Sequence, residues 1–181
     1  MRKSVFIILC FVFILLLGGT TAFVLTYKIN YLNIVKENVK SIENDELSES
    51  LVMSIIKNES KFDKNAKSNK DAMGLMQLTV STAFEVAKNN NIKFELQNLT
   101  NENMNIKLGV LYLEYLFDIF KDKNLVILSY NAGPFRVKEW LNTNQVYKDG
   151  KINTPFKETN AYLEKVLRDE KIYKILLKGH K

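Results

Sequence analysis

The chain has very little cysteine and histidine, with one of each among 181 residues. Cys10 is the only cysteine and lies inside an apolar run. Because a disulfide needs two cysteines and a cysteine cluster needs several, neither can form within this chain. His180 stands beside the C-terminus, which excludes Ser-His-Asp, Cys-His and histidine-based zinc sites. Carboxylates therefore remain as the acid–base groups, and the fold must be held together by packing.

Linker-like sequence is also missing, because the chain has 2 prolines and 7 glycines, and no Pro-rich or Gly/Ser-rich stretch or internal repeat. The net charge is +6, but the lysines are interleaved with acids and asparagines. This pattern does not predict nucleic-acid binding. It fits either a solvated basic surface or attraction to an anionic cell envelope.

One long run without charge occurs at the N-terminus, over residues 5–25, after Arg2 and Lys3. As a helix it would span roughly 30 Å, enough to cross the hydrocarbon core of a membrane. Basic residues before it favour a cytoplasmic N-terminus and an extracytoplasmic body. We expect residues 1–27 to be a single-pass anchor. A cleaved signal peptide is the alternative, since residues 18–22 are small or hydroxylated, and cleavage would make the protein secreted.

Residues 28–44 mix apolar and polar side chains and are interpreted as a juxtamembrane stalk. The folded domain is expected over residues 45–178, where the pattern is helical almost throughout. Apolar residues at helical spacing predict a first helix from residue 47 that ends near Glu59, and a central buried helix over residues 100–122. Residues 73–87 are expected to form a second helix or a pair of short helices.

The second half of the domain predicts three further helices and a turn. A helix is expected from Asn124, as its cap, to residue 131, and another begins after Gly133-Pro134. Asp149-Gly150 suits a tight turn in a small hairpin or a surface loop, and Thr154-Pro155 is expected to open the last helix. The prediction is a mainly α domain with one small hairpin.

Four short motifs follow one another within this helical pattern. They are Glu59-Ser60 at the end of the first helix, Gly74-Leu75-Met76-Gln77, Ser129-Tyr130-Asn131-Ala132-Gly133, and Glu158-Thr159-Asn160-Ala161-Tyr162. In this order they resemble the lytic transglycosylase (SLT) domain of the soluble-lytic-transglycosylase type, which has a lysozyme-like α+β fold. The resemblance implies a peptidoglycan-cleaving enzyme, with glycan strands as its partner.

The resemblance also implies roles for particular residues. Glu59 would be the catalytic acid and base, while the substrate-binding residues would be Ser60, Ser68, Met76, Gln77, Tyr130, Asn131, Glu158 and Tyr162. It implies neither a metal nor an organic cofactor. We further expect a monomer held at the membrane by its N-terminal helix and without a nucleic-acid partner.

Three positions depart from the family pattern. Asp71 stands where a small residue, usually glycine, precedes the alanine of the Gly-Leu-Met-Gln motif. Val80 stands where proline is common, and Ser129 replaces a frequent alanine. None of these changes touches the expected acid, although Asp71 could alter the loop or add a charge to the cleft.

Taken alone, a glutamate at a helix end is usually a solvated surface carboxylate. In the mechanism that the resemblance implies, protonated Glu59 gives its proton to the glycosidic oxygen between N-acetylmuramic acid and N-acetylglucosamine. It then takes the proton of the muramoyl 6-hydroxyl, which closes a 1,6-anhydro ring. Glutamate can stay protonated near neutral pH when apolar neighbours raise its pKa.

Two other functions remain open at this point. One is a muramidase-type hydrolase in which Asp63 or Asp71 positions water, since ordinary glycosidases use two carboxylates. The other is a non-catalytic wall-binding module of a secretion, conjugation or sporulation assembly. The presence of Glu59, Ser68 and Tyr162 together argues against the module, because a binder has no need of a buried acid.

Overall fold

The computed structural model describes residues 27–180. The chain divides into two compact units, residues 1–30 and 31–181, and the elements named here belong to the second. The expected anchor or signal segment falls almost entirely on residues outside the described part. Within the described part, no helix is both long and apolar enough to cross a membrane.

The described residues form seven α-helices and two small antiparallel hairpins. The helices are α1 (Leu32–Lys40), α2 (Glu49–Ser60), α3 (Val80–Asn89), α4 (Glu102–Phe120), α5 (Lys123–Ala132), α6 (Pro134–Asn142) and α7 (Lys157–Leu176). The strands are β1 (Ala72–Met73), β2 (Leu78–Thr79), β3 (Tyr147–Lys148) and β4 (Lys151–Ile152), and single turns of 3₁₀ helix cover Leu96–Thr100 and Leu177–His180. The predicted mainly helical domain is confirmed.

The compact unit begins earlier than the sequence suggested. Leu32 and Val35 of α1 are buried, and α1 packs against α2 and α4. Their spacing of three residues places both side chains on one face of the helix, where α2 and α4 cover them. Part of the stretch interpreted as a stalk is therefore a helix of the folded unit, whose boundary lies at Tyr31 rather than near Asp45.

The core forms where α2 packs along α7 and α4 packs against α5. The side chain of Ser48 caps the start of α2 by accepting a hydrogen bond from the Leu51 amide. The apolar face of α2 is fully buried, and it comprises Leu51, Val52, Met53, Ile55 and Ile56. Burying one such side chain contributes roughly 1.5–3 kcal/mol, so α2 is fixed firmly in the domain and its C-terminal end has a defined position.

The helix predicted over residues 73–87 is partly wrong. Ala72 pairs with Thr79 and Met73 with Leu78 in an antiparallel hairpin, and α3 begins only at Val80. The backbone between the strands has positive φ at Gly74 (79°) and Gln77 (48°), which a helix does not allow.

The expected starts of two later helices also differ from the structure. Asp122, not Asn124, caps α5, because its carboxylate accepts the amides of Asn124 and Leu125 at 2.8 and 3.0 Å. α7 begins at Lys157 rather than at Thr154. The Thr154 amide and hydroxyl both donate to the side-chain oxygen of Asn160, and these bonds hold Thr154 outside the helix.

The predicted hairpin at Asp149-Gly150 is confirmed as β3 and β4. Both turn residues have positive φ, 51° for Asp149 and 72° for Gly150. This backbone is typical of the tight turns that Asp-Gly pairs favour.

Ser129 on α5 is a buried polar residue whose hydroxyl is left without a hydrogen bond in the core. Its side chain has no exposed surface, and its hydroxyl has no hydrogen-bond partner among the described residues. We expect Ser129→Ala to raise the free energy of unfolding by about 1 kcal/mol, because it removes an unsatisfied buried polar group. Urea unfolding measures the change, and a loss of stability would contradict it. Ser54→Ala is the matched control, since the buried Ser54 hydroxyl donates to the Leu51 carbonyl at 2.7 Å, and its removal should destabilise by about 1 kcal/mol.

Candidate active site

Glu59 is the penultimate residue of α2, at the end of the buried helix face. The next two residues after the helix, Lys61 and Phe62, both have left-handed backbone, with φ of 53° and 68°. This turn redirects the chain sharply, and Phe62 is buried beneath it. The Glu59 side chain therefore projects from a rigid helix end and not from a mobile loop.

The Glu59 carboxyl has one direct side-chain partner among the described residues, the phenol of Tyr162 on α7. The Tyr162 hydroxyl donates to Glu59 Oε1 at 2.6 Å. Tyr162 is itself 9% exposed, so water has little access to this side of the carboxyl. The hydrogen bond joins the two helices that pack most extensively in the domain.

Burial raises the pKa of Glu59 to about 7, and the hydrogen bond from Tyr162 opposes this rise. Burial is the larger effect, because the free energy needed to move the charged carboxylate out of water exceeds the stabilisation that one neutral hydrogen-bond donor gives it. Near neutral pH a substantial fraction of Glu59 is therefore protonated. A protonated carboxyl at a cleft is able to donate a proton to a bound substrate.

A pocket of about 240 Å³ opens over this carboxyl. Its lining residues are Asn58, Glu59, Asn131, Glu158, Tyr162 and Lys165. Four of the site residues expected from the sequence thus meet at one place although they come from three helices. The sequence interpretation missed Asn58 and Lys165. The signal that could have found Lys165 is its position one turn after Tyr162 on the same helix.

Tyr130 lies close to the acid but forms its hydrogen bond elsewhere. Its hydroxyl donates to the Met76 carbonyl oxygen at 2.7 Å. The pKa of the Tyr130 phenol is raised well above its usual value, first by burial and second by the charge of Glu59. Tyr130 thus connects α5 to the loop between β1 and β2 beside the acid.

Met76 has no exposed side-chain surface in this structure. It packs on Gly109 of α4, where an added Cβ would overlap the Met76 sulfur. Its amide donates to Asn105 Oδ1 at 2.8 Å. Met76 therefore supports the site through its backbone and its packing, and it offers no surface to a sugar here.

Asn105 on α4 was not anticipated from the sequence, although it organises the whole loop. It is fully buried, accepts the Met76 amide, and donates to the carbonyls of Met73 and Leu99 at 3.0 and 2.9 Å. A polar residue in an apolar helix stripe was the available signal, because a buried amide must find partners.

Three of the expected substrate-binding side chains form hydrogen bonds with backbone groups, namely those of Gln77, Ser68 and Ser60. The Gln77 amide donates to the carbonyls of Ala66 and Gly74, both at 2.9 Å. Ser68 accepts the amides of Lys70 and Ala72, and the buried Ser60 accepts the amide of Phe62. In this structure these three side chains shape the loop around the site, and none of them lines the pocket that contains Glu59.

The departures from the family pattern have local explanations. Asp71 has φ of 56°, a conformation in which glycine is favoured, and it is exposed and pairs with Lys67 at 3.1 Å. Val80 is the first residue of α3, the position at which proline is well tolerated. Neither residue lines the Glu59 pocket.

An ion-pair network ties α2 to α7 next to the pocket. Asp169 is fully buried, and it accepts hydrogen bonds from Lys57 Nζ at 2.6 Å and Asn58 Nδ2 at 3.0 Å. Because these two residues directly precede Glu59, the network fixes the helix turn that carries the acid. Asp169 was not anticipated from the sequence, since an acid on a charged helix is usually exposed.

No metal is needed for proton transfer by a carboxyl. Among the described residues, no group of three or more histidine, cysteine, aspartate or glutamate side chains could hold a metal ion. The pocket itself presents the Glu59 carboxyl, the Tyr162 phenol, the amides of Asn58 and Asn131, and the charged side chains of Glu158 and Lys165.

The raised pKa predicts a specific pH dependence of stability. The folded pKa of about 7 lies above the unfolded value of 4.5, so between these values the folded state holds a proton that the unfolded state has lost. The free energy of unfolding then falls as pH rises, by roughly 3 kcal/mol in total. We expect Glu59→Gln to lack this decrease, so that its stability relative to the unmodified chain increases from pH 4.5 to above pH 7.

Urea unfolding of both proteins at several pH values measures this difference. Other titrating carboxyls cancel in the comparison, because the two proteins share them. A difference that stays constant across this pH range would show that Glu59 titrates normally.

These observations define a mainly helical domain whose pocket holds a partly buried acid, Glu59, and an exposed one, Glu158. The profile of the family "Transglycosylase SLT domain" matches residues 38–153. The chain belongs to the transglycosylase SLT domain family.

Two relatives and one solved structure illustrate the relationship. The soluble lytic murein transglycosylase of Escherichia coli K12 is 31% identical over 138 residues, which cover 73% of this chain and 21% of that protein. The membrane-bound lytic murein transglycosylase C of Shigella sonnei is 28% identical over 169 residues, covering 80% and 46%. The chain thus spans about a fifth to a half of the length of these relatives.

Among solved structures, an inactive Glu-to-Gln mutant of the lytic transglycosylase Slt from Pseudomonas aeruginosa superposes with a TM-score of 0.73 at 30% identity. The match covers 84% of this chain and 25% of the Pseudomonas chain. The predicted fold is therefore confirmed by both sequence and structure.

Proposed function

We propose that this chain is a membrane-anchored lytic transglycosylase that cleaves the β-1,4 bond between N-acetylmuramic acid and N-acetylglucosamine in peptidoglycan. The observation that carries the proposal is the half-buried Glu59, with a pKa of about 7, paired with Tyr162 at a pocket of an SLT domain. The names of the soluble and membrane-bound relatives support the activity. The Pseudomonas protein is inactive as a Glu-to-Gln mutant, which supports an essential glutamate.

In the first step, protonated Glu59 donates its proton to the glycosidic oxygen, and the bond from this oxygen to C1 of the muramoyl residue breaks. Positive charge develops at C1, where the substrate's own N-acetyl group stabilises it. The dipoles of Tyr130, Asn131 and Tyr162 add to this stabilisation. The Tyr162 hydroxyl already donates to Glu59 Oε1, so it also steadies the carboxylate that forms.

In the second step, the Glu59 carboxylate removes the proton of the muramoyl 6-hydroxyl, and this oxygen bonds to C1 as a 1,6-anhydro ring. Glu59 thereby regains its proton, so the cycle closes without water, a metal or a cofactor. A carboxyl whose pKa lies near neutral pH can act both as an acid and as a base.

The hydrolytic alternative requires a second carboxylate at the pocket. Asp63 and Asp71, the candidates considered from the sequence, are exposed and do not line it. Among the described residues, the second carboxylate that lines the pocket belongs to Glu158. A hydrolase would therefore have to use Glu158 to position water.

Membrane attachment is part of the proposal and rests on the uncharged run over residues 5–25. The Shigella relative is a membrane-bound lytic murein transglycosylase, which is consistent with attachment. Attachment would place the domain outside the cytoplasm, at the wall.

Two assays on one digest test this proposal. The full-length chain is incubated with purified peptidoglycan, and solubilised glycan and new reducing ends are both measured. Solubilisation without matching reducing ends is the expected result, because ring closure leaves no free C1 hydroxyl. Reducing ends that match the solubilised glycan would establish the hydrolase, and the absence of both signals would contradict an enzymatic function.

A further inference from the structure

A groove of about 700 Å³ lies beside the β1–β2 hairpin, and much of its lining is apolar. The apolar side chains that line it are those of Met73, Val80, Phe84, Phe94 and Leu96. Phe84 and Phe94 pack edge to face there, with ring centroids 6.4 Å apart. The groove and the Glu59 pocket share no lining residue. The groove is therefore a separate surface of the domain.

Three of these side chains are strongly exposed. Val80, Phe84 and Leu96 expose 39%, 54% and 55% of their surface. Val80 and Phe84 are four residues apart on α3, so they lie on one face of that helix. A single exposed apolar residue is common, but several together on one groove mark a surface that contacts another molecule or a membrane.

Lysines stand at the edge of this groove. Lys67 and Lys70 line it together with Asp71, and all three residues are exposed. Lys67 pairs with Asp71 at 3.1 Å, but an exposed pair of this kind contributes little, so the ammonium group can exchange it for a phosphate. The methylene chain of a lysine covers apolar surface while its ammonium group stays in a polar layer. An apolar centre with a lysine edge fits the surface of a bilayer that contains anionic lipid.

The chain connection keeps this domain close to a bilayer. The uncharged run proposed as the anchor ends at residue 25, and the folded unit begins at Tyr31. Residues 26–30 between them bridge at most roughly 20 Å, even when fully extended. A domain on so short a connection stays next to the membrane surface, so an apolar groove on it has lipid within reach.

The chain also enters the domain near the loop that carries the two lysines. Burial raises the pKa of the Tyr31 phenol, and the charges of Glu102, Lys64 and Asp63 act on it as well. Lys64 pairs with Glu102 at 2.9 Å. The loop over residues 61–71 therefore passes close to Tyr31 before it reaches the groove.

We propose that this groove docks on the membrane surface, with its apolar side chains at the boundary between headgroups and acyl chains and with Lys67 and Lys70 on lipid phosphates. The inference rests on the membrane attachment in the proposed function, and it names the face of the domain that contacts the bilayer. Because the groove and the Glu59 pocket have no residue in common, the acid stays open to glycan while the groove is covered.

A second copy of the chain fits this surface less well. In a two-fold pair the same patch meets itself, which would bring the lysines of both copies together. Like charges brought together in this way repel each other. A bilayer with anionic headgroups gives a partner both to the apolar side chains and to the lysines.

A fluorescent reporter on the full-length chain tests the inference. Cys10→Ser removes the native thiol, and Ser81→Cys places one polarity-sensitive dye at the groove, where Ser81 is exposed. The labelled chain is reconstituted into vesicles of phosphatidylcholine and into vesicles that also contain phosphatidylglycerol. In the anionic vesicles we expect the emission to shift to the blue and nitroxide-labelled lipids to quench it.

Phe84→Ser and Lys70→Gln, each added to the labelled chain, identify the contacts. We expect each to reduce the ratio of docked to undocked domain roughly fivefold, because one removes an exposed apolar ring and the other removes a cation. Ile175→Ser is the matched control, since Ile175 is a 70% exposed apolar residue of α7 that does not line the groove. The control should leave the ratio unchanged, and melting temperatures confirm that all variants are folded.

Three results would overturn the inference. One is a dye that stays unshifted in anionic vesicles, and another is a shift that neither Phe84→Ser nor Lys70→Gln reduces. The third is a shift that depends on the density of protein in the vesicles and not on anionic lipid, because it would show that two copies pair through the groove.

Flotation of the same vesicles separates this inference from the proposed attachment. Retention of the chain at high salt and alkaline pH measures attachment through the anchor. Retention with an unshifted dye would leave the anchor standing and overturn the docking groove. A shifted dye on a chain that salt releases would contradict the anchor and support the groove.

Discussion

Glu59→Gln is expected to reduce the cleavage of purified peptidoglycan by at least about a thousandfold, because general acid–base catalysis contributes roughly 10²–10⁴-fold and the proposed cycle uses Glu59 twice. Glutamine has nearly the same shape, but it can neither donate the proton nor take it back. Release of soluble fragments from dye-labelled peptidoglycan measures the loss.

The variant should remain folded, which makes this result interpretable. The amide oxygen that Glu59→Gln introduces would still accept a hydrogen bond from the Tyr162 hydroxyl, as the Glu59 carboxyl oxygen does at 2.6 Å. The melting temperature at pH 7 should therefore be equal to or above that of the unmodified chain. Glu49→Gln, at the start of the same helix, is the matched control and should keep most of the activity. More than a tenth of the activity in Glu59→Gln would exclude Glu59 as the acid.

Gly74→Ala is expected to lower the free energy of unfolding by about 4 kcal/mol, from two costs that add. Gly74 has φ of 79°, and a Cβ there would overlap the carbonyl oxygen of Leu99 and the side-chain amide of Asn105. Left-handed backbone costs a non-glycine residue roughly 1–3 kcal/mol. Displacing the buried Asn105 leaves its partners unsatisfied, at roughly 1–3 kcal/mol more.

Gly150→Ala separates the two costs. Gly150 has nearly the same backbone, with φ of 72°, but a Cβ there would meet nothing within 4 Å. Gly150→Ala should therefore lower the free energy of unfolding by about 2 kcal/mol, from backbone strain alone. Urea unfolding of both variants gives the comparison. If the two variants were equally stable, the close packing of Gly74 against α4 would be contradicted.

The substitution Gly74→Ala should also displace residues next to Glu59, through the loop between β1 and β2. Asn105 holds the Met76 amide, and the Met76 carbonyl receives the Tyr130 hydroxyl. A shift of Asn105 therefore moves the anchor of Tyr130. Against a typical total stability of roughly 5–15 kcal/mol, a loss of about 4 kcal/mol removes between about a quarter and four fifths of the stability of the domain.

The sequence predicted those parts of the fold in which local signals and tertiary packing agree. The apolar stripe of α2 predicted both the helix and the location of Glu59 at its end, and Asp149-Gly150 predicted the β3–β4 hairpin. The prediction failed between Met73 and Thr79, where apolar residues at helical spacing form a hairpin. Gln77 has left-handed backbone, and its side chain donates to the carbonyls of Ala66 and Gly74 while the neighbouring Met76 amide donates to Asn105. The spacing of apolar residues does not encode these contacts.

The site was predictable only in part, for a similar reason. Motif order identified Glu59, Asn131, Glu158 and Tyr162, which meet at the pocket. The packing of α2 on α7 brings in Lys165, and it buries Asp169 beneath the helix turn that carries the acid. Such partnerships join residues more than a hundred positions apart, as in the Asn58–Asp169 hydrogen bond of 3.0 Å, and they emerge only once the helices are packed.

The most direct test of the central claim is mass spectrometry of the muropeptides that the full-length chain releases from purified peptidoglycan, beside those released by Glu59→Gln. Ring closure predicts 1,6-anhydro products, each lighter by one water than its hydrolysed counterpart, from the unmodified chain alone. Products carrying the additional water, or anhydro products from both proteins, would contradict the claim that Glu59 acts as both the acid and the base of a lytic transglycosylase.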